Sequence, residues 1–137
     1  MDMKAVNEQV IHDFRAGGEI SIDGMHRERL VLLTTTGEQT FTPSTVPVMF
    51  TSTDQGILVV ASNDGAHGEP QWYRNLVADP VVHIEEPDVE YDGAARVLAE
   101  KARDAAWTRL TTDYPFFIDQ QEKAGRELPL VEITKTP

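Results

Sequence analysis

The stretch of sequence that decides the fold runs from residue 30 to residue 80 and reads LVLLTTTGEQTFTPSTVPVMFTSTDQGILVVASNDGAHGEPQWYRNLVADP. It contains three runs of apolar and β-branched residues, and a turn that contains glycine separates each run from the next. Such runs predict β-strands joined as hairpins. The three predicted strands cover residues 30–36, 46–50 and 57–62.

Similar signals continue on both sides of this stretch. Residues 71–78 are predicted to be a helix because Pro70 and Pro80 bound them, and proline is tolerated at a helix start and commonly lies just beyond a helix end. Apolar spacing predicts an amphipathic helix over residues 3–16, which stops at Gly17. By the same criteria, strands are predicted over residues 81–85, 89–98 and 128–134, and helices over residues 99–114 and 116–124.

The order of these elements predicts the architecture. Five or six strands in hairpin order, with too few helices to cross between parallel neighbours, favour an antiparallel β-barrel with helices on its outside. We expect a single domain over residues 1–137, with the barrel over residues 20–134. Gly93, inside the fifth strand, is interpreted as a bulge. Because alternate strand positions face one side, we expect one core, formed by Leu30, Leu32, Val48, Phe50, Leu58, Val60, Val82, Ile84 and Val131.

The composition excludes several kinds of partner. Lys and Arg number 12 against 23 Asp and Glu, and the net charge of -11 repels nucleic acid and anionic membrane surfaces. No apolar run approaches the ~18 residues of a membrane span, and the N-terminus lacks the basic and apolar regions of a secretory signal. We therefore expect a cytoplasmic protein without a nucleic-acid partner and without integral membrane contact.

No metal site is predicted. The chain has no cysteine, and its four histidines are not at metal-ligand spacing.

The polar loop of residues 62–70 is the first candidate for a binding site. It follows an apolar strand and precedes a helix, a position at which backbone N–H groups can face an anionic or polar ligand. A connecting loop that binds nothing is the alternative. Tyr114, at the corner between two predicted helices, is a candidate to orient or protonate a substrate. Its alternative role is to plug the barrel end.

Four segments carry a resemblance to a known family. The chain reads T-T-T-G at residues 34–37, T-V-P-V-M-F at 45–50, V-V-A-S-N-D-G at 59–65 and P-Q-W-Y-R-N-L-V-A-D-P at 70–80. This series resembles the deazaflavin (factor 420)-dependent nitroreductase and quinone reductase family. The match is most specific in the Trp-Tyr-x-Asn-Leu run of the last segment.

The resemblance implies the split β-barrel fold of flavin-binding proteins, often paired as a homodimer. It also implies an oxidoreductase in which a hydride passes from the deazaflavin coenzyme to an electron-poor quinone, nitro compound or activated alkene. Tyr114 or a water molecule would supply the proton, and Tyr73 and His67 are the other catalytic candidates. The residues placed around the coenzyme are Thr45, Pro47, Ser62, Asn63, Asp64, Gly65, Trp72 and Asn75.

The chain departs from the family where its members carry basic residues. Glu38, Gln39 and Ser44 occupy positions that are usually Arg, Lys and Arg, and Asn63 occupies the position of a frequent Lys. The coenzyme carries a phosphodiester and an acidic tail, so each lost charge-assisted contact removes ~1.5–3 kcal/mol of binding. The basic residues nearby in sequence that could compensate are Arg27, Arg29 and Arg74.

Two functions therefore stay open. The first is a deazaflavin-dependent reductase, with FMN as the alternative cofactor, acting on a hydrophobic small molecule. The second uses the same barrel without a cofactor, as an isomerase, a cyclase or a binding protein for an apolar small molecule. In that case the acid and base candidates are His67, Asp64 and Tyr73.

Overall fold

The computed structural model describes residues 3–22 and 24–137, and of Asp64 it describes the backbone alone. Within those ranges six strands pair into a closed barrel, in the order β1-β2-β3-β6-β5-β4. They are β1 (Leu30–Thr36), β2 (Pro43–Ser52), β3 (Ile57–Val60), β4 (Val81–Glu85), β5 (Glu90–Val97) and β6 (Leu130–Lys135). The same residues form four α-helices, which are α1 (Met3–Ala16), α2 (Gln71–Ala78), α3 (Glu100–Asp113) and α4 (Phe116–Ala124).

Every strand pairing in this barrel is antiparallel. The longest ladder joins β1 to β2, from Leu30 opposite Met49 to Thr36 opposite Pro43. The last strand, β6, closes the barrel because it pairs with both β3 and β5. The predicted antiparallel barrel with helices around it is confirmed.

The barrel interior holds one set of alternate side chains from the strands together with Leu76 of α2. From the strands, the buried members are Val31, Leu33, Ile57, Val59, Val82, Ile84, Val131 and Ile133. Val48 and Phe50 pack against this set, as predicted.

The predicted single core is wrong for four residues. Leu30 and Leu32 belong to a separate cluster with Val10 and Phe14 of α1. Leu58 and Val60 belong to a third cluster, formed with α3 and α4. Helices cover the outer faces of β1 and β3, so both sets of alternate side chains in these strands are apolar. Strands buried on both faces read as continuous apolar runs, and alternation then does not identify the inner face.

Gly93 is not a bulge. The β4–β5 ladder runs without interruption from Val81 opposite Ala94 to Glu85 opposite Glu90. A Cβ atom on Gly93 would lie 2.9 Å from Ile133 Cγ2 and 3.0 Å from the carbonyl oxygen of Thr134. Glycine therefore allows β5 to approach β6 closely at this point.

The described residues contain neither a membrane-spanning helix nor a cluster of metal ligands. No helix in this part of the chain is both long enough and apolar enough to cross a membrane. Three or more potential metal ligands do not come together anywhere among the described side chains.

Candidate functional site

A cleft of about 290 Å³ lies where β2 and the end of β3 meet α2 and α4. Its volume is at the lower end of the range for small-molecule sites, about 300–1,000 Å³. Most of the lining is apolar or aromatic, and the polar groups are the side chains of Ser62, Asn63 and Gln120. The apolar lining consists of Pro47, Val48, Met49, Val60, Trp72, Phe116 and Phe117. The described lining residues include no charged side chain, so the cleft suits an uncharged flat ring.

Helix α2 is fixed in place by Asn75, which is buried. Its Nδ2 donates to Thr35 Oγ1 at 3.0 Å. Its Oδ1 accepts hydrogen bonds from the backbone N–H of Glu38 at 3.1 Å and from Gln71 Nε2 at 2.9 Å. These bonds join α2 to β1 and to the β1–β2 turn, and so they hold Trp72 at the cleft.

The loop after β3 brings Ser62 and Asn63 to the other side chains of the cleft. Asn63 and Gly65 both have positive φ angles, 48° and 78°, which asparagine and glycine tolerate better than most residues. Asn63 Nδ2 donates to the carbonyl oxygen of Gly68 at 2.9 Å and closes the loop on itself. Backbone hydrogen bonds from the N–H of Gly65 to Ser62 and from the N–H of Ala66 to Asn63 form a short 3-10 turn over Asn63–Gly65.

The residues predicted to surround the coenzyme are only partly brought together. Pro47, Ser62, Asn63 and Trp72 line the cleft. Thr45 lies in β2 and its hydroxyl is 2.7 Å from that of Thr34, on the paired strand. Gly65 is buried beside the side chain of Lys123, Asn75 makes the internal bonds described above, and the Asp64 side chain lies outside the described part of the chain.

The three predicted catalytic residues lie outside the cleft lining. His67 Nδ1 is 2.8 Å from the carbonyl oxygen of Ala124, at the end of α4. Tyr73 borders a separate surface groove with Glu38, Glu69 and Arg74. Burial and then Glu69 raise the pKa of the Tyr73 hydroxyl, whereas Arg126 lowers it. Tyr114 is half-buried at the end of α3, and its ring meets that of Phe116 edge to face at 6.2 Å.

The β1–β2 turn carries no net positive charge. Its Glu38 accepts a hydrogen bond from Gln71 and lies 3.5 Å from Arg74 Nε. Arg74 also donates to the carbonyl oxygen of Glu69, so this arginine is already engaged. Arg27 lies under α1, where it donates to the carbonyl oxygens of Phe14 and Pro87. The fold thus uses both arginines elsewhere, and Arg29 does not line the cleft.

Sequence reasoning missed the contribution of α4 and the residues just after it. Gln120, Phe116 and Phe117 line the cleft, and Arg126 reaches the loop after β3 from a distance of more than 50 residues in sequence. The apolar spacing of α4 predicted a helix but gave no signal of which surface it would cover. The pairing of β3 with β6 brings the chain that follows α4 to this loop.

Comparison with known proteins assigns the family. The sequence pattern of the F420H(2)-dependent quinone reductase family matches residues 6–135. The chain belongs to this family. The predicted resemblance is confirmed, and so is the prediction of an oxidoreductase class at the level of the family.

Individual relatives agree with this assignment. An F420H(2)-dependent quinone reductase of Mycobacterium tuberculosis (strain ATCC 25618 / H37Rv) is 29% identical over 108 residues, which cover 77% of this chain and 72% of the relative. The solved structure of an F420-H2 dependent reductase (FDR-A) is 31% identical with a TM-score of 0.70 and covers 82% of this chain and all of that one. A structure described as a domain-swapped dimer is 29% identical with a TM-score of 0.72, covering 97% of this chain and 98% of its own. The predicted split barrel is therefore confirmed.

Proposed function

We propose that this protein is a deazaflavin-dependent reductase and that the cleft beside Trp72 holds the ring of the coenzyme. The observation that carries the proposal is that three segments of the family resemblance meet at one aromatic cleft, whose described lining carries no charged side chain. These segments are residues 45–50 of β2, the loop after β3, and helix α2. Small-molecule sites usually combine such an apolar lining with a few convergent polar groups. Family membership supports the same coenzyme, since the matching family is defined by F420H(2).

The described residues fit the ring of a deazaflavin. Gln120 Oε1 is buried and has no hydrogen-bond partner among the described residues. An unpaired buried acceptor costs about 1–3 kcal/mol, and a ring N–H or hydroxyl group of a bound molecule would satisfy it. The faces of Trp72, Phe116 and Phe117 offer surfaces on which a flat ring can stack.

When bound, the reduced coenzyme supplies a hydride, which carries two electrons. The work of the chain is to exclude water with the aromatic side chains and to orient the acceptor through Ser62, Asn63 and Gln120. Conversion of a quinone to a hydroquinone consumes the hydride and one proton. The protein or a water molecule must therefore deliver that proton at the cleft.

We keep Tyr114 as the proposed proton donor. Its hydroxyl makes no hydrogen bond to another described residue, and its ring contacts Phe116, which lines the cleft. Among the described lining residues Ser62 carries the only hydroxyl and is the nearest competitor, followed by Tyr73 and His67. A proton donor contributes about 10²- to 10⁴-fold to the rate. We expect Tyr114→Phe to lose turnover in this range and Ser62→Ala to lose less, and the reverse order would transfer the role to Ser62.

The test of the proposed function is a turnover assay. The protein should oxidise the reduced deazaflavin coenzyme only when an acceptor such as a quinone, a nitro compound or an activated alkene is present. Trp72→Ala should lower that activity, because it removes an aromatic wall of the cleft. Lack of turnover with every acceptor class, at concentrations where the coenzyme binds, would contradict a reductase.

A second function is favoured by one observation. The turn and loop positions that are basic in the family are Glu38, Gln39, Ser44 and Asn63 here. If the cleft has lost its coenzyme, it acts as an isomerase or cyclase, or binds an apolar molecule, without any redox step. Conversion or binding of such a molecule without bound deazaflavin or FMN would favour this function over the first.

We also propose that the protein forms a homodimer. A relative is described as a domain-swapped dimer, and this chain exposes large apolar side chains, with Phe41 79% and Val81 63% exposed. Light scattering at micromolar concentration should give twice the mass of 15.3 kDa. A monomeric mass would contradict the proposal.

A further inference from the structure

Arg126 lies under the loop after β3, in the segment that joins α4 to β6. Helix α4 ends at Gly125, whose backbone is left-handed with φ of 66°, and the next residue turns toward the loop. The Nη2 atom of Arg126 donates to three carbonyl oxygens, those of Ala61 at 3.3 Å, Ser62 at 3.4 Å and Gly68 at 3.0 Å. One guanidinium therefore contacts both ends of the loop whose Ser62 and Asn63 line the cleft.

The other two nitrogen atoms of this guanidinium have no hydrogen-bond partner among the described residues. The Nε and Nη1 atoms are buried and make no hydrogen bond to any described residue. Together these atoms carry three N–H groups, since arginine is always protonated and has five. No described carboxylate lies within ion-pair distance of Arg126. A buried charge without a counterion is unfavourable unless an anion or another polar group satisfies it.

The position of this charge is unexpected in an acidic chain with a net charge of -11. The β1–β2 turn lacks the basic residues that its family usually carries there, yet the partly buried guanidinium of Arg126 contacts the loop whose Ser62 and Asn63 line the cleft. The Lys123 side chain also runs along this loop, with its Cδ 2.9 Å from the position of a Cβ on Gly65. The side chains of Lys123 and Arg126 thus both lie against the loop after β3.

The segment of the loop that covers Arg126 is weakly held. Ala66, His67 and Gly68 are exposed, and a Cβ on Gly68 would meet nothing within 4 Å. The described tethers of this segment are the backbone hydrogen bond from Ala66 N–H to the carbonyl oxygen of Asn63 and the side-chain hydrogen bonds from Asn63, His67 and Arg126 itself. Loops held by few apolar contacts open locally at low free energy, so a ligand can reach the guanidinium when this segment lifts.

We propose that Arg126 is an anion-binding residue beside the cleft, under the loop after β3, and takes a phosphate or carboxylate group of the bound molecule in place of the basic residues missing from the β1–β2 turn. The identity of that molecule as the deazaflavin coenzyme rests on the proposed function. Tyr73 supports the location, because Arg126 lowers the pKa of its hydroxyl and so lies within electrostatic reach of it. The anion then lies between the cleft and the groove that Tyr73 borders.

The test compares two ligands on matched variants. Oxidised factor 420 carries the phosphodiester and acidic tail, whereas its phosphate-free deazaflavin fragment carries the ring alone. Arg126→Met should weaken binding of the complete coenzyme about 10- to 100-fold, as expected for the loss of one charge-assisted contact, and should change the affinity for the fragment by less than about twofold. Arg126→Lys keeps the charge, so its affinity for the complete coenzyme should lie between those of Arg126→Met and the wild type.

Two controls separate anion binding from support of the loop. Arg96→Met removes an arginine that pairs with Glu132 on the barrel and should leave both affinities unchanged. His67→Ala removes a tether of the same loop without touching Arg126. The proposal would be overturned if Arg126→Met and His67→Ala each lowered the affinity for the complete coenzyme and the affinity for the fragment by the same factor. That result would show that Arg126 only holds the loop. An unchanged affinity for the complete coenzyme in Arg126→Met would overturn it as well.

The experiment also distinguishes failure of the proposed function from failure of the anion site. If the wild type binds neither ligand, the coenzyme assignment fails, and the anion site is decided with inorganic phosphate alone. Phosphate should then raise the melting temperature of the wild type above its value in chloride at equal ionic strength, and it should not do so for Arg126→Met. The same response in both proteins would contradict an anion site at Arg126.

Discussion

At the scale of single residues, the polar groups of the family motif divide between the cleft lining and internal structure. Ser62 and Asn63 line the cleft, whereas Asn75 satisfies three groups inside the protein. The sequence predicted all of them as ligand contacts, because a motif does not tell which side of its helix is buried. The buried side of α2 depends on Thr35 and Glu38, which only the closed barrel brings next to it.

The role of Asn75 gives a prediction about stability. Asn75→Ala leaves the Thr35 hydroxyl and the Glu38 N–H without their partner in a buried site. We expect the free energy of unfolding to fall by about 2–4 kcal/mol, measured by urea denaturation. Gln9→Ala is the control, because Gln9 is exposed and its side chain makes a single described hydrogen bond, to Asp13. Equal losses in the two variants would contradict the assignment of Asn75 as an anchor.

His83 gives a prediction about pH. Its Nδ1 lies 2.8 Å from Asp92 and its Nε2 lies 2.9 Å from Glu90, and these hydrogen bonds, Asp92 first, raise the pKa of the imidazole above 6.5. Because the pKa is higher in the folded state, protonated His83 stabilises the fold fully below about pH 6.5, and the stabilisation is lost as pH rises through the raised pKa.

The measurement is denaturation of the wild type and His83→Gln over a series of pH values from about 5.5 to 8.5. The wild type should be the more stable at the acidic end, and the difference should shrink as pH rises. His26→Gln, at an exposed histidine without a described ion pair, should show no such trend. A difference between wild type and His83→Gln that is constant over this range would refute the role of the ion pair.

At the scale of elements, the sequence predicted the order and type of the strands and helices, and several bounds agree closely. β1, α2, β4 and α4 begin and end where the patterns place them. The inner faces of β1 and β3 were not predictable, because α1 packs on the outside of β1, and α3 and α4 pack near the outside of β3. Residues 62–70 were predicted as the binding loop, but its partner α4 comes from the far end of the chain.

The contact between β5 and β6 gives a prediction at this scale. In Gly93→Ala the new Cβ would lie 2.9 Å from Ile133 Cγ2 and 3.0 Å from Thr134 O, so the strands must move apart. We expect a loss of about 1–3 kcal/mol in the free energy of unfolding. Gly18→Ala is the matched control, since its Cβ would meet nothing within 4 Å, and it should change stability by less than about 0.5 kcal/mol. Similar losses in both variants would argue against the close approach.

At the scale of the whole molecule, charge decides how well an acidic coenzyme binds. The net charge of -11 and the neutral or acidic β1–β2 turn both oppose a phosphodiester and an acidic tail. The sequence showed the missing basic residues directly. It did not show the cation that the fold places on the loop after β3, because Arg126 is distant in sequence from every segment of the resemblance.

Restoring the family charges should therefore tighten binding. Gln39 and Ser44 are exposed on the β1–β2 hairpin, and Gln39→Lys with Ser44→Arg should raise affinity for the coenzyme about 10-fold or more at low salt. The gain should fall as salt rises, since the Debye length is about 10 Å at 0.1 M. Gln55→Lys with Ser52→Arg adds the same charges at the other end of β2 and serves as the control. Equal gains in coenzyme affinity in both double variants would mean that the net charge of the protein, and not the position of the added charges, determines the affinity.

The cleft beside Trp72 is proposed to bind the deazaflavin ring. The most direct test of this proposal is an equilibrium titration of the wild type with oxidised factor 420 and, separately, with FMN, repeated on Trp72→Ala. We predict saturable binding of one deazaflavin per chain, weaker binding of FMN, and a clear loss of deazaflavin affinity in Trp72→Ala. Absence of saturable deazaflavin binding, or the same affinity in Trp72→Ala as in the wild type, would contradict the claim.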